Sequence, residues 1–187
     1  METKTSETSG IWDSFNVDAM EISFVGAYDN EKDQFYSFWE KDLEKLEELM
    51  VGSETVVGYN SWLFDYGVLK RYFSVDPRTF PSIDLMIALK EALGFRPKLN
   101  DIAWVNVGSG KLGSGLDATD YWAKGEKDKL EKYCLEDVRL TYEVWKVGEE
   151  TGKIKYYDKS GFEKEAEIDW NLGKMQKVVN SEQKRLI

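Results

Sequence analysis

The sequence predicts a mixed α/β domain, and three observations carry that expectation. Two strand-like runs flank a polar turn near the start, short apolar runs alternate with amphipathic helical ones through the middle, and one long helical pattern dominates the last third. Nothing in the chain repeats, and no Pro-, Gly- or Ser-rich stretch is long enough to divide it. The reading is therefore one domain over residues 1–172 followed by a polar, basic tail over 173–187.

The elements follow in order. Glu21 to Tyr28 (EISFVGAY) and Gln34 to Trp39 (QFYSFW) read as neighbouring antiparallel strands, with DNEKD as the turn between them. Asp42 to Met50 places Leu43, Leu46, Leu49 and Met50 on one stripe of a helix that Gly52-Ser53 ends. TVVGYN, from Thr55, has the length and apolarity of a buried strand. A helix follows from about Phe64 to Phe73, then a turn at Val75-Asp76-Pro77. Ser82 to Leu93 reads as a helix capped by Ser82 and stopped by Gly94 and Pro97. Asn100 to Asn106 is a short helix, GSGKLGSG a loop, and Leu116 to Ala123 a further segment. Glu126 to Glu150 is the longest helical pattern, and Lys153–Tyr157 with Phe162–Ile168 form a closing strand pair.

Composition narrows the chemistry. The 187 residues contain no histidine, which removes Ser-His-Asp and Cys-His triads, histidine-bearing zinc sites and imidazole general bases. Cys134 is the only cysteine, so no intrachain disulfide can form, and the polar opening METKTSETSG lacks the pattern of a signal peptide. Apolar runs such as Leu85 to Leu89 are too short to span a bilayer. These features lead to the expectation of a cytoplasmic protein with no membrane partner. Charge is uneven: residues 1–66 hold 15 acidic and 4 basic residues, net −11, whereas residues 67–187 hold 20 acidic and 21 basic, net +1. A uniformly basic nucleic-acid clamp is ruled out. Local phosphate contacts beside an acidic site that attracts cations remain open, as does indifference to polyanions.

Two segments concentrate reactive groups. In Asn60-Ser61-Trp62-Leu63-Phe64-Asp65 a carboxylate follows directly on a buried strand, in the first turn of a helix. In Tyr133-Cys134-Leu135-Glu136-Asp137 a phenol and a carboxylate stand four residues apart and so share one helical face. Without histidine, phosphodiester hydrolysis is most readily performed by two divalent cations, and magnesium takes hard oxygen ligands from carboxylates on separate elements. A tyrosine hydroxyl can orient the attacking water. Each residue also has a purely structural reading: Asp65 as a helix-start carboxylate favoured by the dipole, and Asp137 as a surface charge bonded to Arg139 or Lys132.

Taken together and in this order, N-x-x-x-F-D and Y-x-x-x-D resemble the second and third motifs of the tyrosine-type DEDD 3′-5′ exonucleases. VVGYN, SIDLM, GKLGSG and YCLEDVRLTYEVW extend the likeness, from about Glu2 to Tyr157, to the small bacterial and archaeal predicted exonucleases of this kind and to the proofreading domains of family B DNA polymerases. The resemblance implies a ribonuclease H-like mixed sheet flanked by helices and a two-metal hydrolase using Mg2+ or Mn2+. It makes Glu2, Asp65 and Asp137 metal ligands and Tyr133 the residue that orients water, with Asp84 in a supporting role. The implied substrate is a single-stranded 3′ end of DNA or RNA, with a helicase or polymerase as a working partner.

One departure bears on this. Met1-Glu2-Thr3 matches the second half of the family's Asp-x-Glu-Thr motif, so the expected aspartate and the first core strand lie before Met1. The expectation is a fold short of its first core strand, with weak metal binding and little activity. The competing expectation is a non-catalytic nucleic-acid or protein-binding module of the same fold. Asn60, Trp62 and Lys111 are the candidate substrate contacts: Trp62, with Tyr59, for base stacking, and Lys111 for a phosphate. Lys90, Arg96, Lys98, Lys124 and Lys127 are further candidates for tracking a backbone. The formal G-x-G-x-x-G match at Gly108 to Gly113 lacks a surrounding βαβ unit, and Leu112 stands where a phosphate loop needs Ser or Thr.

Overall fold

A computed structural model describes residues 20–110 and 115–170. Alternation of apolar side chains and the Asn30–Asp33 turn produce an antiparallel hairpin, β1 (Phe24–Asp29) and β2 (Gln34–Trp39), in register from Phe24 opposite Trp39 to Asp29 opposite Gln34. A 3-10 turn leads into α1 (Leu43–Val51), which buries Leu43, Leu46 and Met50. β3 (Val56–Gly58) pairs in parallel with β4 (Ser82–Asp84), and α2 (Asp65–Leu69) lies in the crossover between them. Next come α3 (Leu85–Leu93), α4 (Leu99–Val107), α5 (Gly115–Ala123) and α6 (Lys127–Thr151). The hairpin β5 (Lys153–Tyr157) and β6 (Glu163–Glu167) closes the described chain.

The architecture is mixed α/β. Its strands form three two-stranded sheets among the described residues, where the sequence led us to expect one mixed sheet. The first two pairs share one packing side. Val25, Ala27 and Val56 face a cluster built from α1 and α2, including Leu46, Met50, Tyr66, Leu69 and Phe73. On the other side, Val57 and Ile83 enter a second cluster with Leu85, Leu89, Ile102, Leu140 and Val144.

Helix α6 serves both pairs. Leu140 and Val144 are fully buried in the second cluster, while the opposite side of the helix lies on β1. Gly26 permits that approach, because a Cβ there would sit 3.0 Å from Leu135 Cδ2 and 3.2 Å from Val138 Cγ2. The Tyr142 ring packs tilted against Tyr28, with centroids 4.7 Å apart, and its hydroxyl donates to Asn30 Oδ1. At the far end Trp170 lies over Gly148, and its indole N–H donates to the Trp145 carbonyl at 2.9 Å.

Two boundaries differ from expectation. Ser82 does not cap α3, because Ser82–Asp84 is taken up by the parallel ladder: the Ser82 hydroxyl is buried, donates to Phe80 O, and shares a 2.8 Å hydrogen bond with Tyr66. Asp84 is the cap, its carboxylate accepting from Met86 N and Ile87 N. Helix α2 is also shorter than the expected Phe64–Phe73 span. After Leu69 the chain continues in overlapping turns that carry Phe73 into the core.

Candidate active site

The carboxyl ends of β3 and β4 lie side by side, and the segment leaving β3 turns sharply. Gly58 is required there, since a Cβ would lie 2.4 Å from Ser61 Oγ. Asn60 takes a left-handed conformation, φ 63°, which asparagine tolerates better than most residues. Tyr66 N then donates to Ser61 O at 2.9 Å, starting α2 with Asp65 as its first residue.

Asp84, the last residue of β4, organises this turn. It is 3% exposed, and its two oxygens accept four backbone N–H groups. Oδ1 takes Asn60 N at 2.9 Å, Met86 N at 3.1 Å and Ile87 N at 3.3 Å; Oδ2 takes Trp62 N at 2.9 Å. One side chain thus caps α3 and clamps the turn that leads to Asp65. Burial raises its carboxyl above the usual range, against the lowering pull of those four donors. Arg96 supports the turn from outside, donating through Nη2 to Asn60 Oδ1 at 3.2 Å and through Nε to Met86 Sδ.

Asp65 keeps more than a third of its surface open to solvent, yet its carboxyl is pushed up to about 7. The first cause is the protein packed around it, which penalises the charged form, and the second is the charge of Asp84. Open surface and desolvation coexist where a side chain stands in a recess. The carboxylate that ends β4 and the one that begins α2 therefore sense one another.

Tyr133 and Asp137 are half-buried on α6, on the stripe that continues into Leu140 and Val144 and so faces the core containing Val57 and Ile83. The Tyr133 ring meets Tyr121 of α5 edge-on at 6.4 Å. Asp137 is not the surface partner of Arg139 that one reading of the sequence allowed. The guanidinium instead bonds Glu136, at 2.6 Å, and Glu143 on its own helix, and reaches Ser109 Oγ at 3.3 Å.

The other candidates fall in several places. Trp62 is half-buried between the two core clusters, 5.9 Å from Tyr66, so much of its ring is spent on packing. Tyr59 turns inward, its hydroxyl donating to Pro97 O at 2.8 Å. Lys124 pairs with Asp120, and Lys127 lies over the Trp39 ring. Glu2 and Lys111 lie outside the described residues.

Every candidate donor is a hard oxygen, which suits magnesium or manganese, but number is the difficulty. Among the described residues no three carboxylates come together in a group able to hold a metal ion. Asp84 spends its lone pairs on backbone N–H groups. The described residues alone do not complete a cage. Also among the described residues, no helix is long and apolar enough to cross a membrane.

No family model, curated protein or solved structure matches the chain.

Proposed function

We propose that the protein is a 3′-5′ exonuclease domain of the tyrosine-type DEDD kind, built on a ribonuclease H-like fold and acting on single-stranded 3′ ends. The observation that carries this reading is the pairing of Asp84, at the carboxyl end of β4, with Asp65, at the start of α2 just beyond the turn that leaves β3, with the Tyr133–Asp137 face of α6 turned toward the same core. In open α/β sheets ligands bind at the carboxyl ends of parallel strands. A further support is that the β1–β2 and β3–β4 pairs both pack on the cluster built from α1 and α2.

In this reading Asp65 and Asp137, with Glu2 as a third donor, would hold divalent cations, which would supply water activation and charge stabilisation at the phosphodiester. Tyr133 orients the attacking water through its hydroxyl. Asp65 must lose its proton before it can serve as a ligand, and Asp84 keeps the turn that carries it in place. The exposed part of Trp62 borders the same turn and is the surface on which a terminal base stacks.

The test is a 5′-labelled single-stranded oligonucleotide incubated with the protein and Mn2+. Slow shortening from the 3′ end, lost in both Asp65→Ala and Asp137→Ala, is expected. Shortening that persists undiminished in Asp65→Ala overturns the assignment. A second reading, a non-catalytic binding module, is favoured by the lack of a three-carboxylate group among the described residues. It predicts oligonucleotide binding that is indifferent to Mn2+ and to both substitutions.

A further inference from the structure

Asp84 caps α3, but its hydrogen bonds divide between two tasks. Met86 N and Ile87 N belong to the helix it caps, whereas Asn60 N and Trp62 N lie 24 and 22 residues earlier, in the turn between β3 and α2. The turn has few other anchors: Phe64 N and Tyr66 N donate to Asn60 O and Ser61 O within it, and Arg96 reaches the Asn60 side chain. Asn60 is held at a positive φ that a non-glycine residue adopts at some cost, so something must fix it. A 3%-exposed carboxylate spanning both amides of the turn supplies that restraint.

We infer that Asp84 is the positioning residue of the site: by clamping the Asn60 and Trp62 amides it fixes the direction in which Asp65 leaves the end of β3. The role in ligand binding rests on the exonuclease reading above; the role in ordering the turn does not. Asp84 touches no substrate and donates nothing to a cation. It acts through the backbone of residues 60–62.

Two substitutions separate the clamp from the cap. Asp84→Asn keeps a carbonyl oxygen for Asn60 N, Met86 N and Ile87 N but sets an amide N–H₂ against the Trp62 N–H, donor facing donor. Asp84→Ser keeps a good helix cap but is too short to reach across to the turn. Hydrogen exchange of individual amides, read by NMR in the full chain, is the first measurement. In both variants the Trp62 and Tyr66 amides are expected to exchange at least tenfold faster, while Met86 and Ile87 remain protected.

The second measurement is Mn2+ affinity, expected to fall about tenfold or more in both variants with helix content unchanged. Trp62 and Tyr66 amides that exchange at the wild-type rate in Asp84→Ser overturn the positioning role, whatever Mn2+ does. Loss of their protection with wild-type Mn2+ affinity shows that Asp84 orders the turn without positioning a ligand, and also overturns it. If the wild-type chain binds no Mn2+, the exonuclease reading fails while the exchange result still decides whether Asp84 holds the turn. Should Asp84→Asn fail to fold, Asp84→Ser carries the same comparison.

Discussion

Replacing Asp65 by asparagine removes a charge that the folded protein resists. The carboxyl ordinarily ionises near 3.8 and is pushed up to about 7 by desolvation and by Asp84, so the folded state holds its proton more tightly than the unfolded chain does. Its contribution to stability is therefore fully present below about 3.8 and is lost as pH rises to about 7. For a fully enclosed group a shift of that size corresponds to roughly 4 kcal/mol, at about 1.36 kcal/mol per unit. Asp65 exposes more than a third of its surface, and solvent screening reduces the figure to about 1.5 kcal/mol. Most of that screened loss falls above about pH 4, which leaves about 1 kcal/mol to be measured.

The assay is urea unfolding followed by tryptophan fluorescence, with chelator present, for wild type and Asp65→Asn at about pH 4 and about pH 8. Taking the difference cancels carboxylates such as Asp29, Asp42 and Glu47, whose ion pairs or hydrogen bonds hold them low and whose pH dependence has the opposite sign. The variant should gain about 1 kcal/mol on wild type as pH rises. A difference that stays constant, or moves the other way, refutes the pairing of Asp65 with a desolvated, negatively charged surrounding.

Other expectations concern the frame around the site. Gly148→Ala places a Cβ 2.3 Å from Trp170 Nε1, so the indole must leave its seat and its hydrogen bond to Trp145 O. A loss of about 2–4 kcal/mol in chemical denaturation is expected, and a loss below about 0.5 kcal/mol contradicts the packing described. Gly26→Val forces Leu135 and Val138 away from β1 and should cost about 1–3 kcal/mol, again by denaturation. Full recovery of that loss in Gly26→Val combined with Leu135→Ala supports the contact, and strict additivity of the two losses argues against it.

The parts of the fold that could be read from sequence are those with a clear period. The β1–β2 hairpin, α1 and α6 each expose one side and bury another, so their alternation survives in the residue pattern. β4 could not be read this way. Residues 82–89 are all buried, and an uninterrupted buried run carries neither a strand period nor a helix period, so the strand merged with the helix after it. How β1 relates to β3 was equally hidden, since the two pairs are joined through helix packing and not by a shared ladder.

The candidate site divides in the same way. Tyr133 and Asp137 are legible because four residues make one face of a helix, and Asp65 because it follows a short apolar strand, which the structure leaves half-buried where the sequence led to a buried one. The clamp was not legible beyond a supporting role for Asp84, because two of its four hydrogen bonds reach amides more than 20 residues away. Asn60 gave a faint signal, asparagine being among the few residues that enter the left-handed region readily. Nothing local in the sequence announces that Arg96 would turn inward to meet it.

That carboxylates from α2 and α6 form one cation site is tested most directly by Mn2+ binding, followed by electron paramagnetic resonance, in wild type, Asp65→Asn and Asp137→Asn. Weak binding by wild type, tightening as pH rises through about 7 while Asp65 gives up its proton, is predicted, with binding lost in both variants. Binding that is equal in all three proteins, or that ignores pH across that range, contradicts the shared site.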